Sequence, residues 1–333
     1  YHSQFPLALR SHKENRLDET LTRHNESQLW QQVEIKKALT LPNITDHIFV
    51  VLGTSVVEVG RDHDYDWALA EPSSLRAIIQ LAGRIQRHRQ KPPGHANIHV
   101  LSHNIRALKG EAVAYCKPGF ESKELPLAGR DLTQLISQEL DNISAASRIV
   151  EPKMTQKDFS TDGGHANAVA SFAIQEHRAL RIYLDSLPAG EHFYRHGREA
   201  SIWWRTRQGE AYLHSDWNAE FIRQTPFRRS QSQQVYSLRW VDGELGWHEK
   251  DDTRFPVVYT PQNQLFKKVH VSLGTGVHWW LKESPVDIYA SLALKLGETE
   301  MKISERFGLV NLREKDGGDI WHWSHELGVF SKK

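Results

Sequence analysis

The sequence predicts an α/β fold: a lobe built on a parallel sheet, then a helical connector, then a Trp-rich mixed α+β domain. Three observations carry this. In the first hundred residues, short apolar runs alternate with amphipathic stretches, and strands separated by helices imply parallel pairing. From Leu108 to Gly164 the pattern is broken by Gly110, Pro118, Gly119, Pro126, Gly129, Pro152, Gly163 and Gly164. Beyond residue 200 stand nine of the 11 Trp, among short segments cut by Gly and Pro. The expected boundaries are 1–107 for the lobe, 108–190 for the connector and 191–333 for the last domain.

Taken in order, Arg10 to Trp30 is charge-rich with Leu17, Leu21 and Leu29 at near-helical spacing, which predicts a surface helix. His47 to Leu52 is an apolar, β-branched run closed by Gly53-Thr54 and predicts a buried strand. Trp67 to Ala70 predicts a second strand. Ser73 or Ser74 caps a helix through Leu75, Ile78, Ile79, Ala82 and Ile85, which Pro92-Pro93-Gly94 ends. Asn97 to Ser102 predicts a third strand. In the connector, Asp131 with Gln134 three residues on opens a helix carrying Leu132, Leu135, Ile136 and Leu140. Ala166 to Leu184 predicts another.

Composition narrows function. Lys and Arg total 42 against 41 Asp and Glu, so any nucleic-acid role must come from local patches rather than a global field. A single cysteine, Cys116, excludes an internal disulfide framework and any multi-cysteine zinc site, which fits a reducing, cytoplasmic setting. No run approaches the ~18 apolar residues of a membrane span. Met occurs only at 154 and 301 and residue 1 is Tyr, so the sequence is expected to be a fragment of a longer chain.

The sharpest chemical signal is the stretch Gly53 to Asp66, directly after the predicted strand. A strand that ends in a Gly-Thr turn and a polar loop places Thr54, Glu58, Gly60 and Asp62 at the carboxyl edge of a parallel sheet, where such folds bind ligands. Some twenty residues later comes Gln80-Leu-Ala-Gly-Arg-Ile-Gln-Arg-His-Arg89. On a helix, Arg84 and Arg87 share a face. Paired guanidiniums from one rigid element suit a phosphate chain, because the fork binds its oxygens bidentately and stays charged.

These blocks resemble motifs V and VI of superfamily 2 helicases, and Tyr1-His2-Ser3 with Arg10 resembles the preceding motif IV. Together with Arg223-Gln-Thr-Pro-Phe-Arg-Arg229 and Leu327-Gly-Val-Phe330, the chain resembles the type I-F CRISPR-associated helicase–nucleases along essentially its whole length. The resemblance implies a second RecA-like lobe, incomplete at its N-terminus, with a C-terminal accessory domain. It implies that Arg87 is the arginine finger and Arg84 contacts the γ-phosphate. Gln80 senses nucleotide, Gly60 and Asp62 line the ATP cleft, and Thr54 with Glu58 couples DNA contact to that cleft. It implies ATP with Mg as cofactor, completed by an upstream lobe, and nuclease metal ions outside this chain. Implied partners are single-stranded DNA, a guide-RNA surveillance complex and the adaptation integrase, with no membrane. No Gly-Lys followed by Ser or Thr occurs, and Asp18-Glu19 reads as a charged helix pair rather than a Walker-B element, so the chain alone is expected to be inactive.

Other features weigh less. His63-Asp64 lacks the further ligands that a two-metal nuclease needs, and Asp62, Asp64 and Asp66 lack the Gly and closing Glu of a calcium loop, so no metal site is assigned. His88, His95, His99 and His103 are separated by the proline break. Between Pro72 and Gly110 there are seven Lys or Arg and no acid, which leaves Arg89, Lys91 and Lys109 for a nucleic-acid backbone. Arg223, Arg228 and Arg229, interleaved with Phe227 and Tyr236, suit a single-strand channel in which charge tracks phosphates and rings stack on bases. Most Trp in a β-rich domain fill a core, and of two adjacent Trp only one need be exposed. The competing assignments are another superfamily 2 repair helicase, a carbohydrate-binding module resting on the Trp-rich half, and a non-catalytic subunit that supplies its arginines in trans.

Overall fold

The computed structural model describes residues 1–58, 61–89, 91–116, 118–136, 153, 155, 161–162, 165–184, 233–314 and 320–331. In chain order the helices are α1 (Leu7–Leu21), α2 (Val33–Leu39), α3 (Leu75–Ala82), α4 (Ile105–Leu108), α5 (Leu132–Leu135), α6 (Phe172–Leu184), α7 (Pro285–Leu296) and α8 (Glu300–Phe307). The strands are β1 (Ala68–Ala70), β2 (Ile98–Val100), β3 (Thr161–Asp162), β4 (His165–Ala166), β5 (Gln233–Val241), β6 (Glu244–Asp251), β7 (Val258–Pro261), β8 (Phe266–Lys268), β9 (Leu309–Arg313), β10 (Trp321–Ser324) and β11 (Gly328–Phe330). They form two compact units that do not follow sequence order: residues 1–63 pack with 230–333, and residues 64–229 form the other.

In the unit of residues 64–229, β1 and β2 pair in parallel, Ala68 opposite Ile98 and Ala70 opposite Val100, with α3 as the crossover between them. The expected second and third strands and their parallel pairing are thus present. Ser74 caps α3 by accepting from the Ala77 amide at 3.1 Å. Buried Glu176 of α6 takes the two preceding orphan donors, the Leu75 and Arg76 amides, at 2.5 and 3.3 Å. The core joins Leu75 and Ile78 to Tyr115, Leu132, Leu135 and Phe172. Glu121 in turn accepts from the Ala114 and Tyr115 amides and pairs with Arg130 at 2.5 Å, which settles the loop that carries the Tyr115 ring.

In the other unit, β5 and β6 meet at an Asp242-Gly243 turn with both φ positive, the two-residue connection that suits strand twist. The antiparallel sheet runs β7-β6-β5-β9, and a second sheet runs β11-β10-β8. Between them Trp247 stacks on Phe266 at 4.2 Å and meets Trp323 edge-on at 5.5 Å, so three rings close one core with Leu238, Leu312 and Val329. A Ser284/Asp287 capping box with Pro285 opens α7, and Gly297 in the left-handed region closes it. Against α7 and α8 packs α1, placing Phe5, Ala8 and Leu9 among Ile288, Tyr289, Ala293 and Ile303.

The beginning and end of the sequence are also stitched together directly. The Val329 amide donates to Gln4 O at 2.8 Å, and His2 Nε2 lies 2.6 Å from Leu327 O. A carbonyl only accepts, so Nε2 carries the proton, and Nδ1 accepts from the Gln4 amide at 3.1 Å. The ring is therefore the neutral tautomer, in keeping with burial lowering its pKa.

Several expected elements differ. His47–Leu52 forms no strand: Ile48, Val50 and Leu52 are 75%, 61% and 78% exposed. The Tyr1 nitrogen donates to Leu52 O and the Thr54 amide donates to Tyr1 O at 3.0 Å, bracketing Gly53 as parallel pairing does, but among the described residues no ladder continues along the run. The first helix ends at Leu21, and Glu26–Gln31 is a separate 3-10 turn capped by Asn25. The helix opened by Ser74 ends at Ala82 rather than near the prolines, because the residues after Gly83 turn tightly and bridge to Tyr65. The Asp131 helix is a single turn that ends at Leu135, because Ile136 is already extended, and Leu140 lies outside the described residues.

Gly328 sits at φ +72°, and a Cβ there would lie 2.8 Å from Gln4 O. Gly328→Ala is expected to cost ~3 kcal/mol or more in urea unfolding, from the left-handed backbone and this clash together. Gly297→Ala, at φ +67° with open space around it, should cost only ~1–2 kcal/mol.

Candidate functional site

The loop after Gly53 is held by acids on α1. Thr54 leads into a 3-10 turn, Ser55–Val57, followed by Glu58; Thr54 is exposed and Glu58 half-buried. Burial raises the Glu58 carboxyl from its usual 4.5 to about 7. Arg61 bridges Glu14 and, at 2.9 Å, Asp18. His63, 1% exposed, lies 2.7 Å from the other Asp18 oxygen. Asp62 is exposed and stands 3.6 Å from His24. Asp18 therefore anchors the loop at two points, and Glu19 pairs with Arg16 at 2.6 Å, so Asp18-Glu19 is a structural pair as expected. Gly60 lies outside the described residues.

In the other unit the arginine segment is clamped to the chain ahead of β1. Gly83 ends α3, and the Arg84 and Ile85 amides bond back to Leu81 and Ala82 in tight turns. The Tyr65 amide then donates to Arg84 O at 2.9 Å, and the Gln86 amide donates to Tyr65 O at 2.9 Å, a one-residue parallel bridge. Gln86 takes φ 48°, a conformation that costs a non-glycine residue ~1–2 kcal/mol. Fully buried Asp64 offsets that strain: its carboxylate accepts the Arg87 and His88 amides at 3.2 and 3.3 Å and two donors of Arg89 at 3.0 and 2.8 Å. Arg89 also reaches Asp66 and Tyr65 O, and its hydrogen bonds to Asp64 raise its pKa further.

Arg84 and Arg87 are thus not neighbours on a helix face, as the spacing implied; they lie on the turn beyond α3. Arg84 is half-buried and Arg87 exposed, with one Arg87 guanidinium nitrogen 3.3 Å from Gly83 O. Gln80 is exposed on the last turns of α3. A Cβ at Gly83 would meet nothing closer than 3.5 Å, so among the described residues no close surface calls for a glycine there. Arg89, expected to be available for a nucleic-acid backbone, is occupied by Asp64 and Asp66. Lys91 and Lys109 are exposed. Arg223, Arg228 and Arg229 lie outside the described residues.

Comparison with known proteins meets this geometry at the same residues. The model of the C-terminal part of the CRISPR-associated nuclease/helicase Cas3 matches residues 1–90, the stretch that contains the anchored loop and the clamped arginines. A Cas3 of subtype I-F/YPEST from Pectobacterium atrosepticum is 40% identical over 99% of this chain. The chain belongs to the type I-F Cas3 family. A second such Cas3, from Pseudomonas aeruginosa, is 34% identical over 97% of the chain, and the chain spans 28% of the length of either Cas3 relative. Similarity to Cas3 therefore runs on through the Trp-rich half, which sets aside an unrelated repair helicase or a carbohydrate-binding module. Among the described residues no helix is long and apolar enough to cross a membrane.

Sequence reasoning missed Asp64 and Glu176 as structural acids, and missed Arg61 and His63 as the partners of Asp18. The signal available was charge complementarity, Asp64-Tyr-Asp66 against Arg87-His-Arg89, in a stretch read instead as a polar ligand-binding loop.

For Glu58, the folded pKa lies above the unfolded value, so its contribution to stability is full below pH 4.5 and is lost as pH rises towards 7. Glu58→Gln is expected to flatten the dependence of Tm on pH across that window; an unchanged slope would place Glu58 in solvent.

Proposed function

We propose that this chain supplies one side of an ATP-hydrolysing site in a motor that moves on single-stranded DNA and feeds a nuclease during CRISPR interference, in the cytoplasm. The observation that carries the reading is the Asp64 clamp: it fixes the backbone of Arg87 while leaving its guanidinium exposed. A guanidinium presented from a rigid turn suits a finger that reaches across to the oxygens of a transferring phosphoryl group.

The residues present fit one flank of a triphosphate. Arg84 and Arg87 give permanent positive charge, Gln80 gives an exposed amide three residues before the turn, and no Gly-Lys-Ser or Gly-Lys-Thr stretch occurs to cradle the phosphates. ATP with Mg would supply the phosphoryl group that leaves, and the remaining ligands would come from another lobe. In this reading Arg84 orients the terminal phosphate, Arg87 stabilises the charge that develops on it, and Asp62 and Gly60 line the cleft. Thr54 and Glu58 relay DNA contact, and Arg89 positions the arginine turn rather than touching DNA. Arg223, Arg228 and Arg229 are the DNA-tracking cations. The partners are a guide-RNA complex that opens the duplex and the adaptation integrase.

The test is steady-state ATP hydrolysis by the complete protein with single-stranded DNA present. Arg87→Ala is expected to lower turnover ~10³–10⁵-fold with DNA affinity nearly unchanged. Turnover close to the parent's would contradict the finger assignment.

A further inference from the structure

Trp279 and Trp280 are adjacent in the irregular stretch between β8 and α7, yet their surroundings differ. Trp280 faces α1, where the Arg16 guanidinium lies 5.6 Å from its ring centroid and Phe49 meets it edge-on at 4.9 Å. Arg16 is itself fixed by a two-pronged pair with Glu34 at 2.7 Å, so Trp280 is part of a structural stack. Trp279 instead lines a cleft of about 340 Å³, with Leu273, Val277 and Leu281 as its other apolar walls.

The polar groups of the cleft are the Lys282 ammonium, the imidazoles of His278 and His325, and the Glu326 carboxyl. Lys282 and His278 are exposed at it, and among the described residues neither side chain has a carboxylate within 4 Å. The acid on the wall, Glu326, is already 3.0 Å from His325. One rim is a Gly274-to-Val277 turn, closed at 3.1 Å, with Gly276 at φ +77° and open space around both glycines. The volume suits a small planar ligand. An aromatic wall takes the face of a heteroaromatic ring, a lysine ammonium with an exposed imidazole N–H takes a phosphate, and a carboxylate–imidazole pair can accept from or donate to ring substituents.

We infer that this cleft holds one base of a single-stranded nucleic acid, its ring stacked on Trp279 and its phosphate at Lys282 and His278. The inference rests on the proposed role of the chain on single-stranded DNA and adds a contact remote in sequence from the arginine turn.

The complete protein is titrated without ATP by fluorescence anisotropy with an oligo-dT of ~20 nucleotides and with an abasic strand of equal length, each at several salt concentrations. Trp279→Ala is expected to weaken oligo-dT binding ~5–100-fold, with abasic affinity and salt slope unchanged, and Trp279→Phe to recover most of the loss. Exposed Lys282→Ala, which perturbs no packing, should lower the salt slope by ~1 on both strands. The cleft assignment is overturned if oligo-dT affinity is indifferent to Trp279→Ala and Lys282→Ala, or if Trp279→Ala weakens both strands equally. Failure of the complete parent protein to bind oligo-dT at all would overturn the single-strand role together with the cleft. Binding that ignores these residues would overturn the cleft alone.

Discussion

A single buried carboxylate organises the part of this chain closest to chemistry. Asp64 has no exposed surface, and an ionised acid in that position is tolerable only when its lone pairs are filled. They are filled by two backbone amides and a guanidinium, all from the segment that follows α3. The turn beyond Gly83 therefore cannot drift: its strained Gln86, its bridge to Tyr65 and the direction of Arg87 are consequences of satisfying Asp64. Arg89 completes the charge balance, which is why the most basic run in the first hundred residues presents fewer free cations than its composition suggests.

The same logic recurs at other points. Asp18 holds Arg61 and His63, and Glu176 completes the amino end of α3. In the first case an acid distant in sequence fixes a loop with no regular structure of its own, and in the second it fills the open donors at the start of a helix. Loops that carry function need such anchors, because the loops themselves bury too little apolar surface to be held by packing. The union of Gln4 with Val329 does this at larger scale: it joins the first residues to the final hairpin, and α1 rests on α7 and α8. The Trp-rich half of the chain is in this sense the foundation of its first sixty residues.

Much of this was legible in the sequence where the determinants are local. Ser74 before a periodic apolar stretch marked α3, and the β-branched and apolar runs around Ala68 and Ile98 marked a parallel pair. The cluster of Trp beyond residue 200 marked a β-rich core, and Trp247 and Trp323 occupy it. Legibility failed where the determinant lies elsewhere in the chain. His47–Leu52 has the composition of a strand, but a strand is completed by neighbours, and a run's own residues do not say where those are. The end of α3 depended on whether Gly83 continued the helix or turned it, which Tyr65 and Asp64 decide from twenty residues away. A buried Asp looks like any other acid in a polar loop.

The central claim is that Arg87 acts through the backbone Asp64 fixes, so the two residues should behave as one unit. The direct measurement is a double-mutant cycle on ATP hydrolysis by the complete protein, using Asp64→Asn, Arg87→Ala and the pair. Asp64→Asn is expected to slow turnover, and the double variant is expected to be no slower than Arg87→Ala alone. Losses that simply add would show that Asp64 and Arg87 serve the reaction independently, and would contradict that claim.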